Sequence, residues 1–264
     1  MNRIAVLIPH YNNPEGLVKS VASVNPEEEA DIIVVDDGST HKPDEYLVAD
    51  SYVAKGKVYF LYLAVNKGIE YALNTGLDYI VQHKYEYIAR LDCGDICLGM
   101  RFTIQSKFLD ENPDVKLAGS FARAVDTEGN LLFKQVLPTK TAEIRKKSYL
   151  NSMFVHPAVM FRTEMINLYG VYPTDYKSAE DYAYFFKFVK NHDVANIDDF
   201  LVQIEINPKG ISLTKRKQQV ANRIRVIRNN FYFGFYPVYG LFRSVILYIM
   251  PTGLLLFLKK ILFR

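Results

Sequence analysis

The sequence predicts an α/β fold with a mixed, mainly parallel central sheet flanked by helices, because buried strands and amphipathic helices alternate along its first half. Residues 4–8 form a continuous apolar run, and the strand predicted at 31–35 contains a second one at 32–35; such runs are typical of strands buried on both faces. Between them, residues 14–24 carry apolar side chains at helical spacing. A strand, a helix and a strand joined by short links form the βαβ unit of a parallel sheet.

The same alternation continues as far as Asp92. Residues 58–63 predict a third strand, residues 69–81 predict a helix, and residues 87–91 predict a fourth strand that ends at Asp92. Polar side chains therefore follow three separate strands at one edge of the sheet. That edge is where ligands bind in open α/β sheets.

The second half of the chain has a more mixed pattern. Residues 115–125 and 131–136 are expected to pair across a Glu-Gly-Asn turn. Further elements are expected as a strand at 157–161, an amphipathic helix at 179–190 and a basic helix at 215–230. The chain has no low-complexity tract or fixed repeat, which excludes a disordered or solenoid protein.

Charge is divided unevenly along the chain. Beyond Glu205 there are eleven Lys or Arg and no Asp or Glu, so the preceding part has a net charge of −8 and the tail +11. This asymmetry favours a basic segment that faces an anionic surface, with membrane lipid as the leading candidate. The N-terminus runs directly into an apolar strand without the features of a signal peptide, so we expect synthesis in the cytosol.

Acidic residues cluster at three places, each next to a predicted strand end or helix start. They are Asp36 with Asp37, Asp92 with Asp95, and Glu180 with Asp181. A site for a nucleotide sugar needs carboxylates to bind the nucleoside, to hold a hard cation on the diphosphate and to accept a proton. Mg²⁺ and Mn²⁺ prefer such oxygen ligands, and often need only one or two carboxylates besides phosphate oxygens.

Several blocks of the sequence, in order over residues 3–190, resemble family 2 inverting glycosyltransferases. The blocks are Ile8-Pro9-His10-Tyr11-Asn12-Asn13, Val35-Asp36-Asp37-Gly38-Ser39-Thr40, Asn66-Lys67-Gly68, Asn74 with Gly76, Arg90-Leu91-Asp92-Cys93-Gly94-Asp95, Arg101 with Gln105, His156-Pro157 and Ala179-Glu180-Asp181-Tyr182. The resemblance implies a GT-A fold in residues 1–206. Residues 1–95 would be the nucleotide-binding half, residues 96–206 the acceptor-binding half, and residues 207–264 a basic, apolar helical tail.

The resemblance also implies roles on the donor side of the site. Pro9 and Tyr11 would pack against the nucleobase. Asp37, together with Asp36, would accept hydrogen bonds from the base and ribose, although an Asp-Gly-Ser turn is the alternative for this pair. Lys67 and its neighbouring amides would contact the donor phosphates, unless they only begin a helix.

The Asp92 block departs from the family pattern of Asp-x-Asp-Asp, because Gly94 occupies the middle acidic position. The resemblance implies that Asp92 contacts the ribose or sugar and that Asp95 ligates the divalent metal, Mn²⁺ or Mg²⁺. A catalytically inactive relative is the alternative that this departure leaves open.

On the acceptor side, the resemblance makes Asp181 the general base that deprotonates the attacking hydroxyl. Glu180 would share the acceptor site, whereas an ordinary acidic helix start is the alternative for both residues. His156 would contact the diphosphate or metal, with a buried core histidine as the alternative.

The C-terminal run of residues 244–264 is apolar but is interrupted by Pro251 and Gly253 and bracketed by basic residues. A spanning helix needs about 20 consecutive apolar residues. The pattern therefore favours an interfacial anchor, and the alternative is a core helix or a dimer interface. We expect a peripheral protein on the cytoplasmic face of the inner membrane.

A membrane anchor and the family resemblance together predict a lipid-linked saccharide acceptor, such as an N-acetylhexosamine-diphospho-undecaprenol of O-antigen or capsule assembly. A UDP-hexose is the expected donor, with dTDP-rhamnose as the rival. The chain has no Trp, so the motif of processive synthases is absent and transfer of a single sugar is expected. A non-catalytic membrane or nucleic-acid binding module is the competing class, but the acidic clusters would repel nucleic acid.

Overall fold

The computed structural model describes residues 2–206 and 215–250. Its strands are β1 (Ile4–His10), β2 (Ala30–Asp36), β3 (Val58–Tyr62), β4 (Tyr87–Arg90), β5 (Ile96–Cys97), β6 (Val115–Val125), β7 (Leu131–Gln135), β8 (Met160–Arg162) and β9 (Asp193–Glu205). Its helices are α1 (Pro14–Ala22), α2 (Glu45–Ser51), α3 (Ile69–Gln82), α4 (Arg101–Glu111), α5 (Thr141–Lys147), α6 (Glu164–Tyr169), α7 (Glu180–Asn191), α8 (Arg216–Asn229) and α9 (Phe235–Ile249).

These strands form one mixed sheet in the order β3-β2-β1-β4-β8-β6-β9-β5, with β7 paired to β6. The strands β3, β2, β1 and β4 run parallel to one another. Strand β8 runs antiparallel to both β4 and β6, whereas β6 and β9 form a long parallel pair. The predicted α/β fold with a mixed, mainly parallel sheet is confirmed.

The apolar runs of β1 and β2 are continuous because the sheet has a core on each face. Along β1, Leu7 packs into the core that contains α3, whereas Val6 and Ile8 pack into the core that contains α1. The α3 core depends on a close approach at Gly76, where an added Cβ would collide with the Leu7 side chain. This glycine allows α3 to lie directly against β1.

The predicted βαβ elements, the hairpin of β6 and β7, and the helices α7 and α8 are confirmed. The strand predicted at 157–161 is wrong at its start, because His156–Ala158 is a 3-10 helix and β8 begins only at Met160. Pro157 has no N–H to donate to a neighbouring strand, and β8 is a central strand with partners on both sides.

Helices α8 and α9 pack on the α7 side of the molecule. They contact the rest of the protein through a separate apolar cluster, in which Val226 and Ile227 of α8 pack against Tyr149, Tyr182 and Phe186. No helix within the described ranges is long and apolar enough to cross a membrane. Of the C-terminal apolar run, residues 244–249 belong to α9, and residues 251–264 lie outside the described residues.

Candidate active site

The candidate site lies at the carboxyl ends of β1, β2 and β4. Because these strands are parallel neighbours, the segments that follow them leave the same edge of the sheet. Pro9 lies partly buried near the end of β1, and Tyr11 follows with 51% of its surface exposed. An exposed aromatic ring at this edge is suited to stacking on a planar base.

Asp36 at the end of β2 is buried and faces the loop after β1. Its Oδ1 lies 2.7 Å from His10 Nδ1, and its Oδ2 accepts the backbone N–H of Ser39 at 3.0 Å. The N–H of Asn13 donates to His10 Nε2 at 3.2 Å, so we assign the ring proton to Nδ1, which donates to Asp36. The two oxygens of Asp36 thus connect the end of β1 at His10 with the loop after β2 at Ser39.

Asp37 faces the other way, toward the loop before α3. Its two carboxylate oxygens accept the backbone N–H groups of Lys67 and Gly68, each at 2.9 Å. Burial raises the pKa of Asp37, and these two hydrogen bonds oppose that rise. The amides predicted to meet donor phosphate are therefore bonded to Asp37, whereas the Lys67 side chain is exposed at the site.

A buried arginine organises the end of β4. Arg90 donates to Asp92 Oδ1 at 2.5 Å, to the Leu7 carbonyl at 2.5 Å and to His156 Nε2 at 3.3 Å. Asp92 keeps 34% of its side chain exposed, so it remains accessible to a ligand. Arg90 thus holds the orientation of a carboxylate that extends from the sheet edge.

His156 lies behind this carboxylate. Its Nε2 is within hydrogen-bond distance of Arg90 and of the Tyr172 hydroxyl, the latter at 3.0 Å. Burial and the charge of Arg90 hold the pKa of His156 well below its usual range. The neutral ring therefore uses Nε2 within the protein, where it contacts Arg90 and Tyr172.

The block residues Arg101 and Gln105 support the same edge from below. Arg101 is fully buried and donates to the Arg90 carbonyl at 2.6 Å, and Gln105 donates to the Ala158 carbonyl at 2.9 Å. These bonds join α4 to β4 and to the segment before β8. Their role is to support the site, since neither side chain is exposed at its surface.

Asp95 is buried beside Asp92. Its Oδ1 accepts the N–H of Glu205 at 2.9 Å, which ties the end of β9 to the site. Burial and the charge of Asp92 raise the pKa of Asp95 well above its usual range. Two neighbouring carboxylates suit a divalent ion, which would reduce this repulsion and complete its ligands with phosphate oxygens.

Metal ligation would depend on these two carboxylates, because the described residues contain no cluster of three or more acidic, His or Cys side chains arranged to hold a metal. Gly94 lies between them with a φ of 104°. A side chain there would have room, since an added Cβ would come no nearer than 3.8 Å to Asn13 Nδ2. Backbone conformation rather than space therefore favours glycine at this position.

Glu180 and Asp181 form the first turn of α7, after Ser178 in a left-handed conformation with φ of 65°. Glu180 is buried, and its Oε2 has no hydrogen-bond partner among the described residues. Burial, together with the charge of Asp181, raises the pKa of Glu180 to about 8. Glu180 is thus largely protonated at neutral pH.

Asp181 is more exposed than Glu180 and lines a small cleft. Burial raises the pKa of Asp181, and the charge of Asp92 acts in the same direction. Because the charge of Asp92 acts on Asp181, the sites predicted around these two residues lie near each other. A carboxylate with a raised pKa that stays accessible is suited to accept a proton near neutral pH.

Three further residues of the site were not predicted from the sequence. Glu70 in the first turn of α3 is buried, and its charge also raises the pKa of Glu180. Tyr172 contacts His156, and Arg223 of α8 lies beside Asp181. Glu70 could have been predicted from the sequence, since it follows Asn66-Lys67-Gly68 at a helix start. Tyr172 and Arg223 could not, because they lie in segments without any motif.

A mixed sheet with Asp37, Asp92 and Asp95 after its parallel strands, and with Asp181 at the start of α7, has the architecture of the GT-A fold. The family model for glycosyl transferase family 2 matches residues 5–170, so the chain belongs to that glycosyltransferase family.

Two curated relatives cover most of the chain. It is 26% identical over 229 residues to the amylovoran biosynthesis glycosyltransferase AmsE of Erwinia amylovora, which spans 85% of this chain and 84% of AmsE. It is 28% identical over 205 residues to the UDP-Gal:alpha-D-GlcNAc-diphosphoundecaprenol beta-1,3-galactosyltransferase of Escherichia coli, which spans 77% of this chain and 71% of that enzyme.

Solved structures share the fold at low identity. S. aureus TarS 1–349 in complex with UDP-GlcNAc superposes with a TM-score of 0.66 at 17% identity, over 94% of this chain and 72% of that one. A longer TarS chain is covered only to 41%. The mannosyltransferase PcManGT of Pyrobaculum calidifontis, in complex with GDP-Man and Mn2+, gives a TM-score of 0.63 at 16% identity, over 94% and 70% of the two chains. These likenesses establish the GT-A fold.

Proposed function

We propose that the chain is an inverting hexosyltransferase that transfers one sugar from a UDP-hexose to a lipid-linked saccharide, such as an N-acetylhexosamine-diphospho-undecaprenol. The observation that supports this most directly is that the charge of Asp92, after β4, acts on Asp181 at the start of α7 and raises its pKa, although 89 residues separate them in the sequence. A donor sugar bound at Asp92 would thus meet an acceptor hydroxyl at Asp181.

In this proposal the chemistry is a single displacement. The acceptor oxygen forms a bond to the anomeric carbon while the bond from that carbon to the diphosphate breaks, and the configuration inverts. The hydroxyl proton passes to the Asp181 carboxylate, and the leaving diphosphate takes the electron pair. No covalent enzyme intermediate is required.

The donor would be held by residues on the β1, β2 and β4 side of the site. Tyr11 and Pro9 would pack on the base, and Lys67 would approach the phosphates. Asp37 would support the binding of the nucleoside by positioning the loop at residues 67–68, because it accepts hydrogen bonds from the backbone N–H groups of that loop. Asp36 supports the same region through His10 and Ser39.

Asp92 and Asp95 would hold a divalent cation, Mn²⁺ or Mg²⁺, together with the donor diphosphate. When bound, this ion would offset the negative charge that develops on the leaving group. The chain's own part is to present two neighbouring carboxylates, of which the charge of Asp92 raises the pKa of Asp95. The Mn2+ complex of the structurally similar PcManGT supports this assignment.

The acceptor would be presented at a membrane, with the protein peripheral on the cytoplasmic face. Helix α9 supports this because one of its faces is apolar and exposed at helical spacing, through Phe235, Val238, Phe242, Val245 and Ile249. The opposite face packs on the protein. The +11 charge of the sequence beyond Glu205 would add attraction to anionic lipid.

The proposal is tested by incubating the full chain with Mn²⁺ and an N-acetylglucosamine-diphospho-alkyl acceptor, using UDP-hexoses and dTDP-rhamnose as separate donors. We expect a single added hexose from a UDP donor, with inverted anomeric configuration by NMR. Addition of rhamnose alone would instead establish the dTDP-dependent alternative. No transfer from any donor, with binding to vesicles or short DNA alone, would favour the non-catalytic binding module.

A further inference from the structure

Helix α8 contributes one guanidinium to the cleft of ≈70 Å³ that contains the proposed base. The polar residues that line this cleft include Asn151, Ser152, Ser178, Asp181, Gln219 and Arg223. Arg223 lies beyond residues 5–170, the part of the chain that the family model matches. The family pattern therefore assigns no role to this arginine.

The position of Arg223 is fixed by its neighbours on α8. Arg225 donates to the Asp175 carbonyl at 2.9 Å, and Asn222 donates to the Lys177 carbonyl at 2.8 Å. Both bonds join α8 to the segment that leads directly into α7. Because these bonds flank Arg223 in the sequence, they hold its helix against the start of α7, where Asp181 lies.

Arg223 itself has no partner of its own in residues 2–206 and 215–250: it makes no ion pair and donates no hydrogen bond there. Its side chain is nevertheless partly buried, and burial lowers its pKa. A guanidinium that is removed from water without a partner is costly. The nearby charge of Asp181 offsets only part of this cost.

A second arginine adds to the positive charge of the cleft. Arg243 of α9 donates to the Leu150 carbonyl at 2.8 Å, next to the lining residues Asn151 and Ser152. Its charge also lowers the pKa of Arg223. Two guanidiniums beside one carboxylate favour an anionic ligand, and the planar fork of arginine is well matched to phosphate oxygens.

We infer that Arg223 binds the diphosphate that links the acceptor sugar to its lipid, an inference that rests on the proposed function. In an inverting displacement the base and the leaving group lie on opposite faces of the sugar. The donor diphosphate is assigned to the side of Asp37 and Lys67, which follow β2 and β3. Arg223 lies instead beside Asp181, on the side of α8 and α9. The diphosphate that Arg223 would bind is therefore that of the acceptor, and the apolar face of α9 would receive the lipid of the acceptor.

The test compares Arg223→Gln with native protein on two acceptors that share the same sugar and alkyl chain. One acceptor has a diphosphate linkage, and the other has a neutral glycosidic linkage. We expect Arg223→Gln to raise the KM of the diphosphate acceptor at least 10-fold, while the KM of the donor and of the neutral acceptor stay unchanged. Arg228→Gln, an exposed arginine on the same helix, is the matched control and should leave all three values unchanged.

Equal losses on both acceptors, with a shifted pH profile, would overturn the inference and assign Arg223 to the positioning of Asp181. A raised donor KM would overturn it in favour of the donor diphosphate. Arg223→Lys keeps the charge and is the second variant, to be used if Arg223→Gln folds poorly. It should retain part of the affinity for the diphosphate acceptor. Should the chain transfer no sugar at all, binding of inorganic diphosphate in EDTA still decides, because the native protein should bind it at least 10-fold more tightly than Arg223→Gln.

Discussion

The guanidinium of Arg90 donates to the carboxylate of Asp92 at 2.5 Å, and the two residues belong to the same strand end. Arg90 is fully buried, whereas Asp92 is partly exposed. The buried guanidinium therefore holds the carboxylate of Asp92 in one orientation at the surface of the site. Residues Leu7 and His156 complete the set of acceptors around Arg90.

The first prediction concerns the free energy of unfolding of Arg90→Met. This change removes the three hydrogen bonds that the Arg90 guanidinium donates to the Leu7 carbonyl, to His156 and to Asp92. A hydrogen bond that involves a charged group contributes about 1.5–3 kcal/mol. Chemical denaturation should show a loss of several kcal/mol in total. The control is Lys55→Met, which breaks only an exposed ion pair with Glu27 and should change stability little. Similar small effects of both changes would show that the Arg90 bonds do not stabilise the fold.

The second prediction concerns turnover in Asp181→Asn. The amide keeps the size of the side chain but cannot accept the acceptor proton, so kcat should fall about 10²–10⁴-fold. Donor affinity, measured by calorimetry with a UDP-sugar, should not change. Glu180→Gln is the matched control on the same helical turn and should lower kcat much less, because Glu180 is already largely protonated. A loss of donor affinity in Asp181→Asn would exclude the role of base.

The third prediction concerns the pH dependence of stability. Glu180 has a pKa of about 8 in the folded protein, above its value of 4.5 in the absence of burial. Between these two values the folded state therefore binds more protons than the unfolded state. The contribution of Glu180 to the free energy of unfolding is complete below pH 4.5 and decreases as pH rises toward 8. The slope from one such group approaches about 1.4 kcal/mol per pH unit. Thermal unfolding of Glu180→Gln between pH 5 and 8 should show a shallower decrease, and an unchanged slope would contradict the buried protonated state.

Adjacent residues in the sequence show where prediction from sequence ends. The strands before Asp36 and Asp92 could be predicted, because continuous apolar runs identify buried parallel strands. The different surroundings of Asp36 and Asp37 could not, since the two carboxylates are chemically identical and only the register of β2 turns one toward His10 and the other toward Lys67.

The longest element missed was β9, which spans Asp193–Glu205. Its pairing with β6 shifts register near Ser120 and Phe121, so the polar residues around Asp198 interrupt the alternation that identifies a strand. The alternatives for His156 also required the structure, because a Pro-flanked histidine has the same local pattern in either role. Arg223 is brought to Asp181 only by the packing of α8, which no local pattern encodes.

The fourth prediction concerns metal dependence. EDTA should abolish transfer, and Mn²⁺ or Mg²⁺ should restore it. Asp95→Asn keeps an oxygen for the Glu205 N–H but removes a charged ligand, so it should raise the Mn²⁺ concentration for half-maximal activity at least 10-fold. Direct Mn²⁺ binding by electron paramagnetic resonance should weaken in parallel. Full activity of the native protein in EDTA would remove Asp95 from the role of ligand.

The fifth prediction concerns membrane binding by α9. Phe235 and Phe242 lie on the same helical face with 72% and 63% of their surfaces exposed, while Gly240 on the opposite face contacts the Tyr149 backbone so closely that an added Cβ would collide with it. The Phe235→Glu, Phe242→Glu double variant should therefore fold normally but bind anionic vesicles at least 10-fold more weakly in sedimentation.

The matched control replaces Tyr46 and Leu47 of α2, which are also exposed and apolar but lie on another part of the surface, with glutamate. It should bind vesicles like the native protein, because α2 contains Glu45 and Asp50 and no Lys or Arg, whereas α9 belongs to the basic sequence beyond Glu205. A deletion that tests the tail separately should begin at residue 251, since Ser244 is buried and a cut before it would remove the last six of the 15 residues of a packed helix. If the α9 double variant and the α2 control bind vesicles equally well, the apolar face of α9 instead covers another protein surface.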